Sequence, residues 1–286
     1  MVKLVYIGGY GRSGSTLLEY LLTTHPAVVA CGEVERHLRR FGRRKVCTCG
    51  RRLTECPIWG TFQHRSGRLR GWDHEHLDLA LLEHVQGEYA VMVDSSKTAW
   101  GSTLTPLWLS QKLGQDFLLV HLVRDPRGVC WSAMRTPWRP KTARRPSAPP
   151  VRALRASIGW TVANVVCEMF GWRHRESYLR VRYEDLIQAP AKVIEEILHR
   201  VSITSAVTLE ANHAGENRHQ LYGNAMRFKP LSLSELKEDV AWKTAMPKGY
   251  RLLITCLCWP LDRRYGYGRD AGGSSQRLPI AKGEDE

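Results

Sequence analysis

The residues with the clearest chemical potential lie near the N-terminus. Gly8-Gly9-Tyr10-Gly11-Arg12-Ser13-Gly14-Ser15-Thr16 follows a short apolar run and precedes a helix-forming stretch. Glycines let backbone N–H groups face an anion, and the N-terminus of the next helix adds unpaired donors and a favourable dipole. In nucleoside-triphosphate loops of pattern G-x-x-x-x-G-K-[ST], the lysine serves the β- and γ-phosphates and the hydroxyl holds magnesium. Here Gly9, Gly14 and Thr16 fit that pattern, but Ser15 stands where the lysine should be. The loss argues against ATP or GTP hydrolysis. It favours a ligand with a single 5′-phosphate-linked group and no metal, with Arg12 supplying positive charge. Two more polar clusters, Asp94-Ser95-Ser96-Lys97 and Arg124-Asp125-Pro126-Arg127, also close apolar runs.

The elements that must position these clusters follow from periodicity and punctuation. Apolar runs predict strands at 3–7, Val28 to Ala30, Ala90 to Val93, Phe117 to Val123 and Tyr178 to Arg182. Helices are expected over Thr16 to Thr24 (stopped by His25-Pro26), 75–86, 102–114, 151–174 and 191–201. Strands alternating with helices argue for an α/β fold, a central parallel sheet with helices on both faces. The three polar clusters then share the carboxyl edge of the sheet, where open α/β sheets bind ligands. No internal repeat or domain boundary is visible, so residues 1–269 read as a single domain and 270–286 as a disordered tail.

Bulk properties bound the partners. The 286 residues carry 42 Lys and Arg against 28 Asp and Glu, a formal charge of +14. That excess favours anionic ligands. Zinc-finger spacing, aromatic RNA-binding signatures and heptads are missing, so nucleic acid is not an expected partner. The first apolar run is too short for a signal peptide and no apolar run approaches the ~20 residues of a transmembrane helix. The expected location is cytoplasmic.

Arg12-Ser13-Gly14-Ser15-Thr16-Leu17 resembles the 5′-phosphosulfate loop of sulfotransferases that use 3′-phosphoadenosine 5′-phosphosulfate (PAPS). Arg124-Asp125-Pro126-Arg127, with Ser132 beyond it, is similar to the 3′-phosphate segment of that family, about 110 residues after the loop. Asp94-Ser95-Ser96-Lys97, Arg182-Tyr183-Glu184-Asp185-Leu186 and the stretch from His219 through Gly223-Asn224-Ala225-Met226-Arg227-Phe228 extend the likeness. It is strongest to the bacterial branch related to tyrosylprotein and carbohydrate sulfotransferases.

The resemblance implies a three-layer P-loop-type fold and sulfuryl transfer from PAPS to a hydroxyl of a small-molecule or glycan acceptor, with no metal. It also implies roles. Glu33, in Cys31-Gly32-Glu33-Val34-Glu35-Arg36, is the general base, with Glu35 as competitor. Lys97 stabilises the leaving phosphate, and Arg12 the sulfuryl group in transit. Gly11, Arg12, Ser13, Gly14, Ser15 and Thr16 hold the 5′-phosphate, while Arg124 and Ser132 hold the 3′-phosphate. Tyr183, Asn224 and Arg227 are further cofactor contacts, and His219 is a weaker candidate. The competing readings are a degenerate P-loop kinase, which needs magnesium and a carboxylate near Asp94, and a non-catalytic nucleotide- or polyanion-binding protein.

Two segments resist a functional reading. The loop 38–60 carries Cys47-x-Cys49-x6-Cys56 followed by Pro57 and Trp59, a set that recurs in the bacterial branch. Its thiols suit zinc with a fourth ligand such as His64, a disulfide, or simple packing. Three irregularly spaced cysteines are a weak metal signal, so a structural role without metal is expected. The Pro/Arg-rich segment 136–150 reads as mobile and solvated. Acceptor identity is not encoded in any readable motif.

Overall fold

The computed structural model describes residues 2–39, 46–66, 73–99, 102–135, 148–204, 217–229 and 233–268. The tail 270–286, nearly all of the segment 136–150 and part of the cysteine-bearing loop lie outside them, as does the side chain of His64.

In chain order, β1 (Lys3–Gly8) runs through the glycine loop into α1 (Ser15–Leu22), and β2 (Val28–Gly32) into α2 (Val34–Arg39). Then α3 (Trp59–Ser66) and α4 (His74–Val85) lead to β3 (Val91–Asp94), and α5 (Thr105–Leu113) leads to β4 (Phe117–Val123). Next, α6 (Pro126–Arg135) and α7 (Pro149–Arg173) precede β5 (Tyr178–Arg182), followed by α8 (Tyr183–Gln188) and α9 (Pro190–Arg200). The C-terminal part carries α10 (Trp242–Ala245), α11 (Lys248–Cys258) and α12 (Leu261–Arg264).

The five strands form one sheet of order β2-β3-β1-β4-β5, every pair parallel. The chain leaves β1 toward the β2 edge and then runs β2, β3, β4, β5 in the opposite direction, so the connections leaving the neighbouring strands β1 and β4 diverge, where such sheets place their ligand crevice. Alternate residues of β1 feed opposite cores. Leu4 and Tyr6 pack with Trp59, Leu77, Leu81 and Phe170, whereas Val5 and Ile7 pack with Leu17, Leu21, Leu186 and Ile197. Burial on both faces explains why β4, FLLVHLV, reads as an almost unbroken apolar run. On α9, Ile194, Ile197 and Leu198 recur at helical spacing and are all buried. Each contributes about 1.5–3 kcal/mol relative to exposure. A third cluster, including Val129, Trp160, Trp242, Ile254 and Tyr265, joins α6 and α7 to the C-terminal helices.

The expected α/β architecture is what forms. The helix expected over 102–114 begins later, at Thr105, with Pro106 in its first turn. Helix α4 starts where expected because Asp73 caps it, accepting from the His76 N–H at 2.8 Å. The short helices α2, α3, α8, α10 and α12 were not anticipated; four to eight residues carry too little periodicity to be read.

Candidate active site

The glycine loop is shaped by close approaches. Gly9 has φ 99° and its Cβ position would lie 2.5 Å from the Leu122 carbonyl oxygen, so no side chain fits there. Its N–H donates to Thr98 Oγ1 (3.0 Å) and its carbonyl accepts from the Thr98 N–H (3.2 Å), which docks the loop onto the end of the Lys97 segment. Gly14, also at φ 99°, precedes α1 without a side-chain cap, so the helix N-terminus faces the loop without a competing side-chain acceptor. The Oγ of Ser13 is buried and has no hydrogen-bond partner. Buried hydroxyls are rarely left without a partner, so this atom offers a donor to the loop. Arg12 and Lys97 both hold φ 73°, a left-handed conformation that disfavours long side chains. Such strain concentrates where function over-determines the backbone.

Glu33 and Lys97 meet beside this loop. Lys97 Nζ donates to Glu33 Oε1 at 2.8 Å and to the Ser95 carbonyl at 2.7 Å, and Arg36 holds Glu33 Oε2 at 2.5 Å. The side chains of Lys97 and Glu33 are 13% and 15% exposed. The Cβ position of Gly11 would lie 3.9 Å from Lys97 Cδ, so the lysine stem runs against the glycine loop. Burial pushes the Glu33 carboxyl up, but Lys97 and Arg36 outweigh it and hold the group down at about 2. Burial lowers the Arg12 guanidinium, with Glu33 opposing that effect.

The sequence marks Asp94 to Lys97 as a polar cluster, but not how its members and His74, Asp78 and Glu19 support this pair. Asp94 Oδ1 accepts from the N–H groups of Val34 (3.3 Å) and Ser96 (2.8 Å) and from the Ser96 hydroxyl (2.6 Å). Ser96 Oγ in turn accepts from the Glu35 N–H (3.0 Å), so β3 fixes the turn that carries Glu33. His74 Nε2 lies 2.9 Å from Asp94 Oδ2 and 3.2 Å from Asp78 Oδ2. Burial lowers the His74 imidazole, yet Asp78 and Asp94 raise it to about 9, while burial and Asp94 push the Asp78 carboxyl well up. Glu19, on α1, accepts from the Gly32 N–H (3.1 Å), the Ser95 hydroxyl (2.9 Å) and the Gln220 amide (2.7 Å). It ties four segments together at the carboxyl edge. A glutamate inside an apolar helix pattern carries no signal of that role.

Arg124 emerges from β4 toward the same loop. It donates to the Arg12 carbonyl (3.1 Å) and the Asp239 carbonyl (2.9 Å), and its guanidinium lies 4.4 Å from the centre of the Tyr183 ring. The same ring packs on the loop, 2.6 Å from where a Cβ on Gly14 would stand. A Cβ on Gly128 would face Arg124 Nε at 3.3 Å; Ser132, one helical turn later on α6, shares that face. Arg127 is bound instead by Asp125 and the Tyr267 carbonyl, at 2.7 Å each.

Asn224 and Arg227 sit on a different footing. Asn224 is exposed and caps the turn Ala225–Phe228 by accepting from the Met226 N–H (3.2 Å). Arg227 is buried and donates to the Gly223 and Asn224 carbonyls at 2.9 and 3.0 Å. Both shape a segment whose Gly223 lies beside the Thr16 hydroxyl.

The cysteines converge on a partner that spacing did not indicate. Cys47 and Cys56 sulfurs are 3.7 Å apart and lie 3.9 and 3.3 Å from His219 Nδ1. Cys49 joins them, all four donor atoms within 4.8 Å of one another. Contact with the Cys47 sulfur, with help from His219, lowers the Cys56 thiol. His219 goes up to about 9, against burial, through Cys49 and Cys56.

Comparison with known proteins identifies the family and the fold. Residues 3–251 match the family model described as "Sulfotransferase domain". Over 152 residues the chain is 29% identical to Carbohydrate sulfotransferase 7 of Mus musculus, a stretch covering 49% of this chain and 30% of that protein. The fold is similar to the sulfotransferase domain of the Synechococcus PCC 7002 olefin synthase (TM-score 0.53, 19% identity, 92% of this chain and 94% of that one). It is also similar to the sulfotransferase domain from the curacin biosynthetic pathway (TM-score 0.56, 17% identity, 93% and 98%). Among the described residues no helix is long and apolar enough to cross a membrane. With its parallel sheet and lysine-free glycine loop, this chain belongs to the sulfotransferase family.

Proposed function

We propose that this protein moves a sulfuryl group from PAPS to a hydroxyl of an organic acceptor, a natural product, carbohydrate or lipid, with Glu33 as general base. The observation that carries the reading is the Glu33–Lys97 contact, 2.8 Å, beside a phosphate loop that lacks its lysine. The donor set suits the cofactor. The partnerless buried Ser13 Oγ and the uncapped start of α1 fit a 5′-phosphate. Arg124, held against Tyr183 on the face of Ser132, fits a 3′-phosphate.

When bound, PAPS supplies the activated sulfuryl group and departs as 3′-phosphoadenosine 5′-phosphate. Such transfers are in-line and loose, and depend on positioning and charge stabilisation. Glu33 takes the proton of the acceptor hydroxyl as its oxygen bonds to sulfur and the bond from sulfur to the bridging phosphate oxygen breaks. Lys97 stabilises the charge that develops on that oxygen, and Arg12 the charge on the sulfuryl oxygens. As Lys97 turns from Glu33 toward the phosphate, it relieves the main interaction holding the carboxylate acidic, and Glu33 becomes a better base. Gly11 to Thr16 cradle the 5′-phosphate, and Asn224 and Arg227 shape the segment beside Thr16.

The kinase alternative needs an available carboxylate near Asp94. Asp94 is wholly buried and both its oxygens are engaged, by His74 and by the Val34 and Ser96 donors, and the neighbouring Asp78, beside the same His74 nitrogen, is wholly buried too. The test is incubation of the purified protein with labelled PAPS and small-molecule extracts. The expected result is a metabolite that gains one sulfuryl group with wild type and not with Glu33→Gln. A protein that labels no acceptor and prefers magnesium–ATP contradicts the reading.

A further inference from the structure

We propose that Cys47, Cys49, Cys56 and His219 form a tetrahedral zinc site that clips the cysteine-bearing loop to the segment running past the phosphate cradle. The geometry is that of a ligand cage. Zinc with sulfur ligands at about 2.3 Å has tetrahedral sulfur–sulfur edges of about 3.7 Å, and the Cys47–Cys56 separation is 3.7 Å. A sulfur–nitrogen edge with an imidazole ligand is about 3.6 Å, and His219 Nδ1 stands 3.3 and 3.9 Å from the two sulfurs. With Cys49 the four donors all lie within 4.8 Å of one another, and Cys47, Cys56 and His219 are buried. Three thiolates and one imidazole in a closed site suit zinc, while calcium, magnesium and manganese favour oxygen donors.

The surroundings hold the donors independently of any metal. The Trp59 indole donates to the His219 carbonyl at 2.5 Å, and the His219 N–H donates to Ala30 of β2 at 2.8 Å. Thr48 Oγ1 donates to the Arg218 carbonyl (2.6 Å) and accepts from the Gln220 N–H (2.8 Å). The clip therefore joins positions 172 residues apart, a closure with a large entropic cost to the unfolded chain's freedom. Its reach extends to the active site: Gln220 donates to Glu19, which also accepts from the Gly32 N–H, immediately before Glu33. Zinc binding would displace the remaining thiol protons and fix this chain of contacts.

The test is metal analysis of the full-length protein purified with a thiol reductant and no chelator. The expected result is one zinc per chain, released when a mercurial reagent modifies the thiols. Cobalt substitution should give the visible bands of a tetrahedral ion with sulfur-to-metal charge transfer. Cys56→Ser and His219→Ala should lose the metal, and Cys256→Ser, at an exposed position, should keep it. In the metal-free protein, hydrogen exchange should rise in 46–60 and 217–224 ahead of the sheet. If the variants fail to fold, metal content and the cobalt spectrum of the wild type decide. Metal-free protein with freely alkylated Cys47, Cys49 and Cys56, a Cys47–Cys56 disulfide, or stoichiometric iron overturns the proposal.

Discussion

Lys97 Nζ lies 2.8 Å from Glu33 Oε1, although the two residues arrive from different strands, at the ends of β3 and β2. Lys97, with Arg36, outweighs burial and holds the Glu33 carboxyl down at about 2. Removing Lys97 should therefore raise the Glu33 pKa. In Lys97→Met, the acidic limb of the kcat/KM profile should move to higher pH, alongside a loss of rate. A limb that stays in place would mean that Glu33 is not the group it reports.

Glu33→Gln should lower turnover by about 10²-fold or more, the usual worth of a positioned base. Affinity for 3′-phosphoadenosine 5′-phosphate should change little, because the proposed role of Glu33 is toward the acceptor hydroxyl and not the bisphosphate. Single-turnover rates with calorimetric binding separate the two effects. Unchanged turnover would move the base to Glu35, whose backbone the same Ser96 hydroxyl anchors.

Arg124→Ala should weaken binding of the bisphosphate by about 1.5–3 kcal/mol, the range for hydrogen bonds to charged groups. Binding of adenosine 5′-monophosphate, which has no 3′-phosphate, should change far less. Asp239 is half exposed and competes for this guanidinium at 3.2 Å. Asp239→Asn should tighten bisphosphate binding by no more than about 1 kcal/mol.

Gly14→Ala places a Cβ 2.6 Å from the Tyr183 ring at φ 99°. Backbone strain of this kind costs about 1–3 kcal/mol. The melting temperature should fall. In a double-mutant cycle with Tyr183→Ala, itself a loss of buried core, the combined loss should be smaller than the sum of the separate losses, since removing the ring removes the clash and leaves the strain. Equal melting temperatures for Gly14→Ala and wild type would contradict the packing described here.

Much of this was legible in the sequence, for identifiable reasons. The buried strands announced themselves because parallel strands covered on both faces must be apolar throughout, as β4 is. The glycine loop was legible because its glycines are demanded by local geometry, with Leu122 and Tyr183 leaving no room at Gly9 and Gly14. What stayed hidden depends on contacts between distant segments. Glu19 looks like any helical glutamate until Gly32, Ser95 and Gln220 converge on it. His219 lies 163 residues beyond Cys56, so spacing alone left the cysteine triplet without a fourth donor.

Burial, opposed by Lys97 and Ser95, raises the Glu19 carboxyl from 4.5 to about 8. A raised folded-state pKa gives stability that is complete below the unfolded value and is lost as pH rises toward 8. Glu19→Gln, which cannot ionise, should flatten the decline in melting temperature between about pH 4.5 and 8. An unaltered slope would show that Glu19 does not titrate in that window.

The most direct test of the central claim is calorimetric titration with 3′-phosphoadenosine 5′-phosphate and with ATP, each with and without added magnesium. Sulfuryl transfer from PAPS through a lysine-free loop predicts tight binding of the bisphosphate that ignores magnesium, and weak binding of ATP. Magnesium-dependent binding that favours ATP would contradict it.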